Sequence, residues 1–134
     1  INLIIMTNKI TIDDLYSDAG TFDQEGVLTM LKGKVVFTKE NEVLFTVDPT
    51  KLKARNAILL YALAKKVLRV NNKIDDEIIT NAEILDKAKL TKSNVGVTIM
   101  RLKDKKILMP SGSGYELPTF KVAEVLNSLK NNKD

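Results

Sequence analysis

The sequence predicts an α+β fold in which amphipathic helices pack with two short β-hairpins. Apolar residues recur at three- and four-residue spacing in several segments between residues 49 and 130, which is typical of helices. Two other stretches carry strand-like apolar runs, and a polar or Gly-rich turn divides each of them. The length of 134 residues, with 44% hydrophobic residues, suits one modest domain with a small extension.

The first hairpin is predicted in the N-terminal third of the chain. Val35–Phe37 and Val43–Val47 are rich in residues that favour strands, and the polar segment "TKENE" between them suits a turn. Upstream, "KITI" at 9–12 reads as a short strand or as part of an acidic, Gly-punctuated arm. We therefore expect residues 1–48 to form an N-terminal arm and β-hairpin extension.

The strongest helical signal runs from Pro49 to Val70. Asp48 is a good N-cap, and Pro49 suits the first helical position because its missing N–H would have no helical partner there. Apolar residues cover most of the circumference, so we expect this helix to pack on two sides. The segment "NNK" at 71–73 ends it, because Asn tolerates turn conformations. The apolar positions are Ala57, Ile58, Leu59, Leu60, Tyr61, Leu63, Ala64 and Leu68.

Shorter elements follow the long helix. Ile78 and Ile79 suit a short strand, and the helix "NAEILDKA" after them is capped by Thr80 or Asn81. The polar turn "TKSN" leads into another helix, "VGVTIMRLKDKK", and the strands "ILM" and "YEL" then enclose the tight loop "PSGSG". Pro118 begins a last helix, "TFKVAEVLNSL".

The stretch "NAEILDKAKLTKSNVGVTIMRLKDKKILMPSGSGYELP" resembles the winged helix-turn-helix family of DNA-binding domains. Ala88 and Leu90 occupy the turn positions of that pattern. Val95, Ile99 and Leu102 occupy the inward-facing positions of the second helix, and "KDKKIL" forms the exit toward the wing. The resemblance implies a winged helix-turn-helix domain, and the chain is more loosely similar to RepL-type plasmid replication proteins and DNA-binding accessory proteins of mobile elements.

Two residues depart from the family pattern. Lys106 stands where the family usually has Gly at the helix end, and Gly96 lies inside the second helix, where Gly costs about 1 kcal/mol relative to Ala. The predicted organisation is an extension over 1–48, the winged helix-turn-helix domain over 49–130 and a disordered tail over 131–134.

The resemblance implies that the helix at 93–105 lies in the major groove of double-stranded DNA. Arg101 would then pair with guanine and Asn94 with adenine, while Lys92 and Ser93 would hold phosphate. The alternative for Arg101 is a solvated surface arginine. The predicted DNA-binding residues are Lys92, Ser93, Asn94, Val97, Thr98, Arg101, Lys103 and Lys105.

Charge is distributed unevenly along the chain. Residues 1–50 hold 4 Lys and 8 Asp or Glu, a net −4, whereas residues 51–134 hold 17 Lys or Arg and 9 Asp or Glu, a net +8. A basic C-terminal part suits a polyanion partner such as DNA, because neutralised phosphates supply most non-specific affinity. A lysine-rich solubilising surface would produce the same composition.

Several other charged groups are predicted to be ordinary surface residues. Solvated helix ends are favoured over an extended phosphate track for the cations Lys51, Lys53, Arg55, Lys65, Lys66 and Arg69. Helix-entry or turn roles are favoured over Mg²⁺ binding for the acidic groups Asp13, Asp14, Asp75, Asp76 and Glu77.

The composition argues against most catalytic chemistry. The chain has no Cys and no His, which removes thiolate nucleophiles, imidazole bases and the usual zinc sites. We expect no enzymatic activity, no metal, no cofactor and no small-molecule ligand. The absence of Cys favours a cytoplasmic protein. No apolar run reaches the about 18 residues that a membrane span needs, so we expect no association with a membrane. Residues 1–5 do not form a signal-peptide pattern, and we expect Met6 to be the natural start.

The rival function is a protein–protein interaction module built on the same fold. Val97 and Met100 are apolar on a face that should be exposed, so they would meet either thymine methyl groups or a protein partner. The last helix is a candidate homodimer element, although its stripe could equally complete the monomer core. That stripe comprises Val122, Val125, Leu126 and Leu129.

Overall fold

The computed structural model describes residues 22–131. These residues form a mixed architecture of five helices and two small antiparallel hairpins, which agrees with the predicted α+β class. The predicted "KITI" strand and residues 132–134 lie outside the described residues. In chain order the elements are α1 (Gln24–Leu31), β1 (Val35–Phe37), β2 (Val43–Phe45), α2 (Ala54–Val70), α3 (Asn81–Ala88), α4 (Lys92–Asp104), β3 (Met109–Ser111), β4 (Gly114–Glu116) and α5 (Val122–Lys130).

Helix α2 forms the centre of the described fold. Every residue from Ala57 to Leu68 is buried except Lys65, which is half-buried. Helices α1, α3, α4 and α5 all contact it. The predicted packing on more than one side is therefore confirmed, because a helix that is apolar around most of its circumference must be covered on most sides.

The start of α2 differs from the prediction. The Asp48 carboxylate accepts a hydrogen bond from the Thr50 backbone N–H at 3.0 Å and caps a 3₁₀ turn over Pro49–Lys51. Leu52 and Lys53 are then extended, and the α-helix begins only at Ala54. The expectation of a continuous helix from Pro49 was wrong, because the cap closes one short turn and the extended pair interrupts the helix.

Helix α1 was missed by the sequence interpretation, which assigned an arm to this region. The Asp23 carboxylate accepts a hydrogen bond from the Gly26 N–H at 2.9 Å, and Val27 and Leu31 are buried against the core. The cap and the four-residue apolar spacing were readable signals. They were weak because the helix has only eight residues and contains a Gly.

The two predicted hairpins are confirmed, with shifted ends. β1 pairs with β2, and β3 pairs with β4 around a turn at Gly112, which has φ +54°. Ile107 and Leu108, predicted to begin the second hairpin, are instead buried core residues between α4 and β3. The second hairpin also gains a partner, since the predicted short strand at Ile79 forms an antiparallel bridge with Tyr115.

The prediction that Lys66 lies at a solvated helix end was wrong, because Lys66 is buried together with Glu77, a residue of the segment between α2 and α3. Both side chains are only 3% exposed, and the Lys66 Nζ lies 2.6 Å from a Glu77 carboxylate oxygen. Arg69 binds the other oxygen, and Lys66 also donates to the Thr119 hydroxyl at 3.1 Å. This cluster, named the buried ion cluster, ties α2 to the segment before α3 and to the turn before α5.

The apolar stripe of α5 belongs to the monomer core. Val122, Val125 and Leu126 are buried within the described chain, and Leu129 is half-buried. These three side chains pack against the protein's own core, which is the monomer-core alternative of the prediction, and a homodimer through α5 stays a prediction.

Candidate nucleic-acid interface

The connection between α3 and α4 is fixed by two helix caps. Thr80 and Glu83 form a capping box at the start of α3, with hydrogen bonds of 3.1 and 3.2 Å between each side chain and the other residue's N–H. Thr91 caps α4 by accepting from the Asn94 N–H at 3.2 Å. Lys89 ends α3 in the left-handed conformation, so the chain turns sharply between the two helices.

A polar network anchors α3 to the centre of the fold. Tyr61 donates a hydrogen bond to the Glu83 carboxylate at 2.7 Å, and the Lys65 ammonium lies 3.0 Å from the same oxygen. Burial raises the pKa of Glu83, but the hydrogen bonds from Tyr61 and Lys65 outweigh it and hold the pKa below its ordinary value. Burial raises the pKa of the Tyr61 phenol, and its hydrogen bond to Glu83 raises it further, so the phenol stays protonated and donates that bond.

Helix α4 presents an arc whose centre carries no positive charge. Val95, Thr98, Ile99 and Leu102 form its buried face. At about 100° per residue, the opposite side holds the residues farthest from the core. Val97 and Met100 are 48% and 63% exposed there. The centre of this exposed arc comprises Ser93, Val97, Met100 and Asp104.

The predicted DNA-binding residues divide between the centre and two flanks of α4. Thr98 was expected near the exposed arc, but it is buried and turned toward α2, because it shares a face with Val95 and Leu102. By helical position one flank comprises Lys92, Gly96 and Lys103, and the other comprises Asn94, Arg101 and Lys105. The structure therefore does not bring all eight residues to one surface.

Lys103 is held against the second hairpin. Its Nζ lies 5.8 Å from the centroid of the Tyr115 ring, a distance at which a cation and an aromatic face attract. The hairpin tip itself carries no Lys or Arg between Ser111 and Gly114, so it offers only backbone and hydroxyl groups to a nucleic acid.

The other flank of α4 faces the start of α2 across a cleft of about 240 Å³, here named the basic cleft. Four of its lining residues are cations, and no Asp or Glu is among the lining residues in the described part of the chain. Arg101 and Lys105 form no ion pair with any residue that the structure describes. The lining comprises Lys53, Ala54, Arg55, Asn94, Thr98, Arg101, Leu102 and Lys105.

Lys53 and Arg55 were absent from the residues predicted to bind DNA. Arg55 lies in the first turn of α2, and its guanidinium donates to the Ser128 hydroxyl of α5 at 3.0 Å. Their approach to Arg101 spans more than forty residues of sequence. No local pattern signals such a pairing, and only the crossing of α2 and α4 creates it.

The comparisons with known proteins give no match. No protein-family model, curated protein or solved structure matches this chain. Within residues 22–131, no helix combines the length and the apolar character needed to cross a bilayer. The same residues contain no group of three or more acidic side chains placed to hold a metal ion. Function is therefore argued from geometry and charge.

Proposed function

We propose that this protein binds double-stranded DNA, with α4 in the major groove and the basic cleft beside the adjacent backbone. The observation that carries the proposal is the basic cleft: four cations line it, no carboxylate is among its described lining residues, and it adjoins the exposed arc of α4. A cluster of that kind suits a polyanion, because phosphate neutralisation releases counterions and supplies most non-specific affinity.

The arrangement of elements supports the same proposal. A short helix, a sharp turn and α4 are followed by a hairpin, and the Ile79–Tyr115 bridge attaches the hairpin to the segment before α3. This order of elements is compatible with the winged helix-turn-helix fold that the sequence resembles, and it supports the proposal in that sense. The fold also serves other functions, so it is the charge of the cleft that favours DNA.

Selectivity for sequence would come from the exposed arc of α4. Ser93 and Asn94 offer polar groups near the start of the helix, and Val97 and Met100 offer apolar contacts suited to thymine methyl groups. We propose a role as a transcriptional regulator or as an accessory factor in plasmid replication or transfer, in line with the resemblance described above.

Fluorescence anisotropy with a random-sequence duplex tests the proposal. If four cations contact phosphates, the affinity should fall by about 100-fold between 50 and 200 mM salt, because each contact contributes about −0.9 to the logarithmic salt slope. A salt-independent affinity, or no binding even at the lower salt concentration, would overturn the proposal.

A second candidate function is docking of a protein partner on α4. Val97 and Met100 favour it, because large exposed side chains in the centre of a helix face suit an apolar partner. Duplex binding by the parent protein separates the two functions, because a protein-docking role predicts none. If the parent binds DNA, replacing Val97 and Met100 with Ser should leave the affinity for random duplex intact, since the phosphate contacts remain.

A further inference from the structure

We propose that the basic cleft is a binding site for a single phosphate group, and that Arg101 and Lys105 contact the DNA backbone and not base edges. The inference rests on the proposed function in one respect, namely that the phosphate belongs to DNA. It differs from the guanine contact that the sequence alone suggested for Arg101, and it adds Lys53 and Arg55 to the interface.

Arg101 lies on a flank of α4 and not in the centre of its exposed arc. Arg101 and Lys105 are four residues apart and lie on the flank that lines the cleft, whereas Val97 and Met100 occupy the centre of the exposed arc. A helix in the major groove presents the centre of its arc to the bases. Cations on a flank therefore lie toward the wall of the groove, where the phosphates are.

The side chains that line the basic cleft suit a phosphate group. Arg101 presents a planar guanidinium, which matches the oxygens of a phosphate through paired hydrogen bonds, and Arg55, whose guanidinium already donates to Ser128, adds positive charge beside it. Lys53 and Lys105 add two further positive charges, and Thr98 contributes a hydroxyl group. A carboxylate in the lining would oppose an anion, and none lies among the described lining residues.

The basic cleft has room for one phosphate group. Its volume of about 240 Å³ is several times the roughly 30 Å³ that one water takes in the liquid, so it admits a tetrahedral oxyanion. The space between α2 and α4 is therefore large enough for one phosphate of a duplex backbone or for a free phosphate ion.

Titration with inorganic phosphate, followed by NMR of the backbone amides, tests the site directly. Ionic strength is held constant with chloride. In the parent protein the Thr98 and Arg101 amides should shift saturably. The double variant Arg101→Ala, Lys105→Ala should lose these shifts. The matched control Lys32→Ala, Lys39→Ala removes two exposed charges far from the cleft in sequence and should keep them. Absence of saturable shifts in the parent, or their persistence in the first variant, would overturn the site.

Duplex binding by the same variants distinguishes the two sources of phosphate. If Arg101 contacts the DNA backbone, Arg101→Ala should lower the affinity for a duplex of selected sequence and for a random-sequence duplex by the same factor. It should also lower the slope of log affinity against log salt concentration by about 1. A loss of discrimination between the two duplexes would instead show a base contact and would overturn the inference.

The remaining outcomes separate this inference from the proposed function. If phosphate binds in the cleft but the parent binds no duplex, the site stands as one for free phosphate and the DNA-binding function fails. If the parent binds duplex and the cleft variants bind equally well, the function stands and the phosphate site fails.

Discussion

At the residue scale, the buried ion cluster places charged side chains in the core and joins three segments of the chain. Lys66 and Glu77 are almost fully buried, and taking either charge out of water is expensive unless its partner is present. Arg69 and the Thr119 hydroxyl complete the contacts around the pair. The cluster thereby positions the segment that leads into α3, on which the location of α4 depends.

Removing one member of this cluster should destabilise the fold strongly. Glu77→Ala leaves the Lys66 ammonium buried without its carboxylate, and we expect a loss of about 3 kcal/mol in the free energy of unfolding. Urea denaturation measures this loss. The neighbouring exposed carboxylate provides the control, since Asp75→Asn should change stability by less than about 0.5 kcal/mol. Equal effects of the two substitutions would contradict the assignment.

At the element scale, two glycines have opposite structural roles. A Cβ added at Gly96, inside α4, would meet no heavy atom within 4 Å apart from its chain neighbours and the backbone of its own helix. A Cβ added at Gly114, in β4, would lie 2.2 Å from the Ile79 carbonyl oxygen. Gly114 is therefore needed where β4 approaches the Ile79–Tyr115 bridge, whereas Gly96 only weakens the helix.

Substituting each glycine with Ala tests this difference. Gly96→Ala should raise the free energy of unfolding by about 1 kcal/mol, because Ala is the better helix former. Gly114→Ala should lower it by about 1–3 kcal/mol, because the added methyl group forces the bridge apart. Thermal unfolding of both variants measures the two effects. A destabilising Gly96→Ala would show that α4 needs the glycine for a reason outside its own helix.

At the scale of the whole molecule, the N-terminal elements share one core with the helices that carry the candidate interface. Val27, Leu31, Val35 and Val43 belong to the same buried cluster as α2 and the later helices. The described part of the acidic N-terminal third, residues 22–50, is thus joined to the basic remainder through one core.

The shared core predicts that α1 contributes to global stability. Val27→Ala should lower the free energy of unfolding by about 2 kcal/mol, since it opens a gap at a fully buried position. Leu28→Ala should change it by less than about 0.5 kcal/mol, because Leu28 is 43% exposed. Chemical denaturation of both variants measures the difference. A second unfolding transition in either variant would show that α1 and the first hairpin unfold separately.

The sequence by itself determined the elements that depend on neighbouring residues. The apolar circumference of α2, a cap at Thr80 or Asn81 and the two hairpins were all readable, because spacing, capping and turn chemistry act within a few residues. The inward face of α4 was read for the same reason. Element ends were read less well, as at Pro49 and Ile107, because packing against distant residues selects them.

Only the tertiary structure decided which charges are buried and which meet. Lys66 and Glu77 looked like solvated groups, and Arg55 looked unrelated to Arg101, because contacts between segments leave no local pattern in a single sequence. The crossing of α2 and α4 brings the cleft cations together, and the segment before α3 carries Glu77 to Lys66. The candidate interface is therefore a product of helix packing, while the helices that build it are products of local sequence.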